Sequence, residues 1–282
     1  MQTKSIFQQT QWCNAEQQAP LHFVLEPTPR WFSLKLGEIG EYYELLYFLV
    51  WRDVKVRYKQ TALGVCWVVL QPLVMMLVFS LVFGQYTPTP ADGVPYPLFT
   101  YIALLPWQLF AHSLSASSNS LVVNQQLITK VYFPRLIIPL AAASAPAVDL
   151  LCALLMMIPL MLWFGVTPGW QILFFPIFVV IALLAALAVS LWFSALHVKF
   201  RDVGHIIPFF VQFWMFASPV VYPVSLIPER WRALYSLNPA VGVVEGFRWS
   251  LLGQHAPSLE TILPSVGIVL VLFVSGIVYF KR

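Results

Sequence analysis

Apolar residues in this chain fall into long runs broken by short polar stretches, without the strict alternation of half-buried strands. A run of about 20 apolar residues spans the hydrocarbon core as a helix whose backbone hydrogen bonds are all internal. Six such runs are predicted near residues 62–83, 97–117, 136–164, 170–197, 206–224 and 262–280. The second ends in a polar stretch from Ser113 to Ser120, and the third is long enough to tilt or to project beyond the bilayer. Ahead of them, residues 38–60 form an amphipathic pattern. Tyr42, Leu45, Leu46, Leu49 and Val50 fall on one side, and Glu41, Glu44, Arg52, Lys55 and Lys59 elsewhere. This suits a helix lying in the membrane interface with basic side chains toward phosphates, or an ordinary helix packed on a partner. Residues 1–37 read as a loosely structured arm, so the first span is expected to act as the insertion signal.

Composition agrees. Hydrophobic residues make up 59% of the 282 and charged residues 10%, with a mean hydropathy of +0.76. Soluble domains carry roughly 25% charged residues. The expected fold class is an all-α polytopic membrane protein. Cys13, Cys66 and Cys152 form no disulfide or metal pattern. The net charge of +4 is better explained by topology than by nucleic acid, because Lys and Arg alternate between loops: 13 lie on one side and three on the other. The positive-inside rule then places both termini in the cytoplasm.

Three stretches carry candidate function. Residues 119–135 are too polar to span and have a helical pattern in Leu121, Val122, Gln125, Leu127 and Ile128, with Pro134 as a stop. They suit either docking to a soluble partner or a plain connector. Residues 225–257 carry two sets of helix signals. Pro228 and Glu229 fit one first turn; Asn238, Pro239 and Gly253 fit a cap, a first position and a stop. Two short outer-face helices follow, partly re-entrant, with an interfacial aromatic belt as the alternative. In the fifth span, Phe209, Gln212, Phe213 and Phe216 share one helical stripe. An aromatic stripe with an amide suits stacking of sugar rings, though such stripes also serve packing and lipid contact.

Asp149 is the one carboxylate within a span. At mid-membrane a charge costs about 3 kcal/mol, so it must face protein, face a polar cavity or stay protonated. With no second intramembrane charge, a structural hydrogen bond fits better than a proton relay. Gln71, Gln108 and His112 read as contacts between helices. No phosphate-binding loop, HExxH or GxSxG motif is present.

Five stretches together resemble the permease subunits of ABC-2 type polysaccharide exporters, which move O-antigen, capsule or teichoic-acid chains. They are LVWRDVKVRYKQTALGVCWVVLQPL (49–73), LLPWQLF (104–110), NQQLITKVYFPRLIIPL (124–140), HVKFRDVGHI (197–206) and SPVVYPVSLIPERWRALYSLNPAVGVVEGFRWSLLG (218–253). The resemblance implies a homodimer of six-span subunits in the bacterial inner membrane, joined to two cytoplasmic ATP-binding cassette subunits. ATP and Mg would be bound by those partners, leaving no cofactor and no catalytic residue in this chain.

It further implies a coupling helix within 119–134, with Gln125, Gln126, Leu127, Ile128, Thr129, Lys130 and Phe133 facing the ATPase. Residues 39–59 become an interface helix bearing Arg52, Lys55, Arg57 and Lys59 among membrane lipids. The helices within 226–253 would sit at the outer mouth. A glycan on a polyprenyl pyrophosphate would enter near the first and fifth spans, making Trp67, Gln71, Phe209, Gln212, Phe213 and Phe216 path residues. Similar permeases carry a short tail beyond the last helix, whereas this sequence stops at Arg282. The competing expectations are a permease for a small lipid or drug, a membrane-embedded glycosyl- or acyltransferase, and a proton-coupled transporter. The last usually shows repeated halves and several intramembrane charges, and neither is visible here.

Overall fold

A computed structural model describes residues 40–59, 64–84, 93–253 and 256–281. The predicted arm, 1–37, lies outside the described residues. Among those described, every regular element is helical. They are α1 (Tyr43–Lys59), α2 (Gly64–Phe83), α3 (Tyr96–Val123), α4 (Gln125–Lys130), α5 (Ile137–Ser144), α6 (Ala147–Phe164), α7 (Phe175–Lys199), α8 (Val203–Phe216), α9 (Glu229–Tyr235), α10 (Pro239–Leu252) and α11 (Leu259–Lys281). Short 3-10 turns occupy Trp170–Phe174 and Val224–Leu226.

The organising element is α3, which packs against α2, α5, α6, α7, α8 and α10. Leu98, Tyr101, Ile102, Ala103, Leu104 and Leu105 point in every direction around its axis and are all buried. A helix enclosed by protein need not be apolar throughout, which explains the polar end of this predicted span. Its serines bond to neighbours instead: Ser113 donates to the Ala143 carbonyl at 2.7 Å, and Ser190 of α7 donates to Ser117 at 2.8 Å.

Four segments are long and apolar enough to cross a membrane: Cys66–Phe83, Ile137–Phe164, Trp170–Lys199 and Leu259–Lys281. Their outward residues, among them Leu81, Leu155, Leu162 and Val271, are uncovered. Between α7 and α11 the approach is close. Buried Ala185 and Ala188 line α7, a Cβ on Gly276 would sit 3.1 Å from the Ala188 carbonyl, and Trp192 stacks on Tyr279 at 4.6 Å. Small residues serve this purpose in membranes, where van der Waals packing drives helix association.

Two predicted spans differ in detail. The third is present as one apolar segment, Ile137–Phe164, but its helix is interrupted at Ala145 and Pro146 into α5 and α6. Pro146 lacks the N–H that Ala142 would accept, and its ring crowds that turn. The fifth predicted span stops early, because α8 ends at Phe216 after 14 residues. That is about 21 Å, short of the hydrocarbon thickness. Beyond it, Pro219 and Pro223 fall within residues 217–223, which turn without forming a helix.

Asn238 caps α10, accepting from the Ala240 N–H at 3.0 Å, with Pro239 at the first position. Gly253 ends the helix at φ +67, a left-handed value that only glycine adopts freely. Twelve of the 14 residues of α10 are buried, so protein covers it on all sides. Gly246 is where it meets α7: an added Cβ would fall 2.1 Å from the Phe178 ring. Gly246→Ala is therefore expected to cost about 1–3 kcal/mol by overpacking. The check is thermal unfolding of the detergent-solubilised protein; an unchanged midpoint would show that Phe178 moves aside freely.

Candidate coupling surface and translocation path

The predicted coupling residues divide into two sets. Asn124 ends α3 and begins α4, and its side chain accepts from Arg52 Nη2 of α1 at 2.9 Å. Leu127 and Ile128 turn inward, half-buried against a small core of Leu49, Phe133, Ile137 and Ile138. Gln125, Gln126, Thr129 and Lys130 face outward. Two exposed apolar side chains extend that outward set, Val131 and Tyr132, the latter 81% exposed. Sequence reasoning did not single out Tyr132. Its signal was an aromatic residue between a polar helix and the stop at Pro134.

The basic residues of α1 divide in the same way. Lys55 and Lys59 are exposed. Arg52 is held by Asp53 at 2.8 Å as well as by Asn124. Arg57 turns into the bundle and forms an ion pair with Asp149 at the start of α6. The Tyr58 hydroxyl donates to the other carboxylate oxygen, and His112 Nδ1 of α3 lies 3.8 Å from Asp149. The buried carboxylate thus has a cationic partner 92 residues away in sequence. Among the described residues no cluster of metal ligands occurs.

The structure separates the aromatic residues of α8. Phe210 and Trp214 pack inward, edge-on to each other at 4.9 Å, and Trp214 meets Phe110 at 5.1 Å. Phe209, Gln212, Phe213 and Phe216 form the opposite face and are uncovered in the protomer. On α2, Trp67 and Gln71 lie one turn apart and are likewise uncovered, while Met76 and Phe79 face the core. Both α2 and α8 lean on α3. Two open faces therefore flank the enclosed helix: α2 pairs one aromatic side chain with an amide, and α8 pairs three with an amide.

Residues 217–223 leave backbone groups that no helix satisfies, and side chains take them up. The Ala217 carbonyl accepts from Asn238 at 3.1 Å, the Val220 carbonyl from Arg248 at 3.2 Å and the Val221 carbonyl from Tyr96 at 2.7 Å. Asn238 also accepts from Trp214 Nε1 at 2.9 Å. Arg248 is fully buried, donates to Glu245 at 2.9 Å, and lies 3.6 Å from the centroid of the Phe99 ring. Buried backbone polar groups need partners, and Arg248 and Asn238 supply them for this irregular segment. In the sequence Arg248 counted only as one outer-loop charge, because its partners lie in other elements.

The profile of the ABC-2 type transporter family matches residues 44–252, from the first turn of α1 to the end of α10. The chain belongs to the ABC-2 type transporter membrane family. It is a transport subunit, not an enzyme in its own right, and its family implies an ATP-binding partner and a multi-pass membrane location. The chain is 34% identical over 254 residues to the O-antigen export system permease protein RfbA of Myxococcus xanthus, covering 87% of this chain and 95% of that one. A protein of the same name from Klebsiella pneumoniae is 28% identical over 77% of this chain and 83% of its own. The polysialic acid transport protein KpsM of Escherichia coli is 24% identical over 69% and 76%. The match runs through the α1–α4 corner, both open faces and the Arg248 network alike.

Proposed function

We propose that this ABC-2 subunit is the permease of an ATP-driven exporter that moves a polysaccharide, carried on a polyprenyl pyrophosphate, from the cytoplasm across the inner membrane. The carrying observation is the similarity over 95% of the length of a relative named for O-antigen export. The open faces support it, since aromatic rings with amides give a sugar chain stacking surfaces and hydrogen bonds without binding it tightly. Each protomer leaves these faces uncovered, which favours a homodimer enclosing the path between two copies, each joined to one ATP-binding subunit. The four apolar segments, with α3 and the α8–α10 region, make six crossings in this reading, and both termini are cytoplasmic. Gln125, Gln126, Thr129 and Lys130 then face the ATPase. Leu127, Ile128 and Phe133 support them from behind, and Lys55 and Lys59 meet lipid phosphates.

The test is purification of the tagged chain in mild detergent from cells that also express the neighbouring genes. A stoichiometric ATP-binding subunit with ATPase activity is expected. Removing the chain is expected to abolish the surface polysaccharide while its lipid-linked form accumulates inside. A clean chain with no ATPase would return the proton-coupled and membrane-enzyme readings.

A further inference from the structure

Three elements meet at Asp149. The carboxylate is buried at the first turn of α6 and is held by Arg57 and Tyr58 from the last turn of α1, with His112 of α3 close by. A charge buried in this way is expensive to hold, and breaking its pair leaves an uncompensated charge in the interior. Five residues earlier and about 140° around the same helix, Arg52 makes a second polar tie, to Asn124 at the joint between α3 and α4. Between these ties α1 is one uninterrupted helix, and just before Arg52 its Leu49 packs in the small core that also receives Leu127 and Ile128 of α4. From Asn124 to Asp149 there is thus a short rigid link made of about one and a half turns of α1 and the side-chain ties at its two sides.

We infer that α1 is a transmission rod. Arg52 takes up displacement at the α3–α4 joint, and Arg57 with Tyr58 delivers it to α6 through Asp149. Two features of the geometry favour this over a passive lipid-facing helix. Arg52 and Arg57, the two arginines of α1, are the basic residues turned inward, whereas Lys55 and Lys59 remain outside. The pair also meets α6 immediately after the break at Pro146, where the backbone ladder is interrupted and a push on the first turn can tilt α6 against α5. Asp149 is then a positioning residue for transport and not a proton carrier.

The inference rests on the exporter reading, and one experiment separates the two. Asp149→Asn, Arg57→Met, Arg57→Lys and the exchange Arg57→Asp with Asp149→Arg are made in the full chain, co-expressed with its ATP-binding subunit. Membrane abundance, co-purifying ATPase activity and surface polysaccharide are measured together. Asp149→Asn and Arg57→Met are expected to lower export about tenfold, a usual size for coupling between sites, while ATPase activity changes less than about twofold. Arg57→Lys keeps the charge pair and is expected to retain at least about half of export, and the exchange to recover most of it. Normal export in Asp149→Asn overturns the inference. So does ATPase activity or abundance falling in step with export, which would make the cluster an assembly or folding element. Failure of both Arg57→Lys and the exchange overturns it as well, since charge pairing would then not be what Arg57 supplies. Absence of ATPase with the unaltered chain instead defeats the exporter reading itself.

Discussion

Replacing Glu245 with leucine is expected to destabilise the protein by about 3–5 kcal/mol, more than replacing its partner Arg248 with methionine. The asymmetry follows from burial. Arg248 has 2% of its side chain exposed and Glu245 has 26%. Without Glu245, a guanidinium stays in the interior with only the Val220 carbonyl and the Phe99 ring to hold it. Without Arg248, the carboxylate can turn toward water, and the main loss is an unsatisfied Val220 carbonyl, about 2 kcal/mol. Methionine fills much of the vacated space with an adaptable apolar chain. The double variant, lacking both charges, is expected to be more stable than Glu245→Leu alone. Thermal unfolding of the detergent-solubilised complex measures all three. A larger loss for Arg248→Met would mean that Arg248 supports the 217–223 backbone more than Glu245 supports Arg248.

Local signals in the sequence were legible where the physics is local. Asn238, Pro239 and Gly253 marked the two ends of α10 because capping and the left-handed turn depend on one or two residues. The long apolar runs marked the crossing segments for the same reason. Prolines show where this fails. Pro72, Pro106, Pro159, Pro208 and Pro264 all lie inside continuous helices, while Pro146 separates two. A proline weakens a helix at its own position, but whether the helix yields there depends on what packs against it, and that is set by other elements. The aromatic residues of α8 pose the same problem. Helical spacing placed Phe209, Phe213 and Phe216 together, yet only the packing of Phe110 and Phe193 shows that Phe210 and Trp214 form the inward face.

Long-range polar pairing was the least legible feature. Asp149 read as an isolated acid because its partners, Arg57 and Tyr58, stood in a helix that the sequence placed in the interface. The amphipathic pattern of α1 sorts residues by face and not by length. An arginine near the boundary between faces reaches inward as readily as outward, because its long apolar stem carries the charge past the neighbouring side chains.

The same sorting decides how the coupling surface should respond to substitution. Tyr132→Asp is expected to detach the ATP-binding subunit without unfolding the chain, weakening co-purification by a factor of about 30 or more, as for a truncated hot spot at a protein interface. Tyr132 is exposed in the protomer, next to the outward Thr129 and Lys130. An added charge there costs the fold little and the interface much. Leu127→Asp differs, because Leu127 packs behind that surface against the core of Leu49, Phe133 and Ile137. It should lower membrane abundance before it lowers docking, since a charge among apolar side chains opposes packing of α4 on α5. Quantifying the chain in membranes and the partner retained per chain separates the two effects. If Leu127→Asp leaves abundance intact and removes the partner, then α4 must rotate on docking, bringing its inward face to the ATPase. If Tyr132→Asp retains the partner, docking lies elsewhere on the exposed surface around α1 and α4.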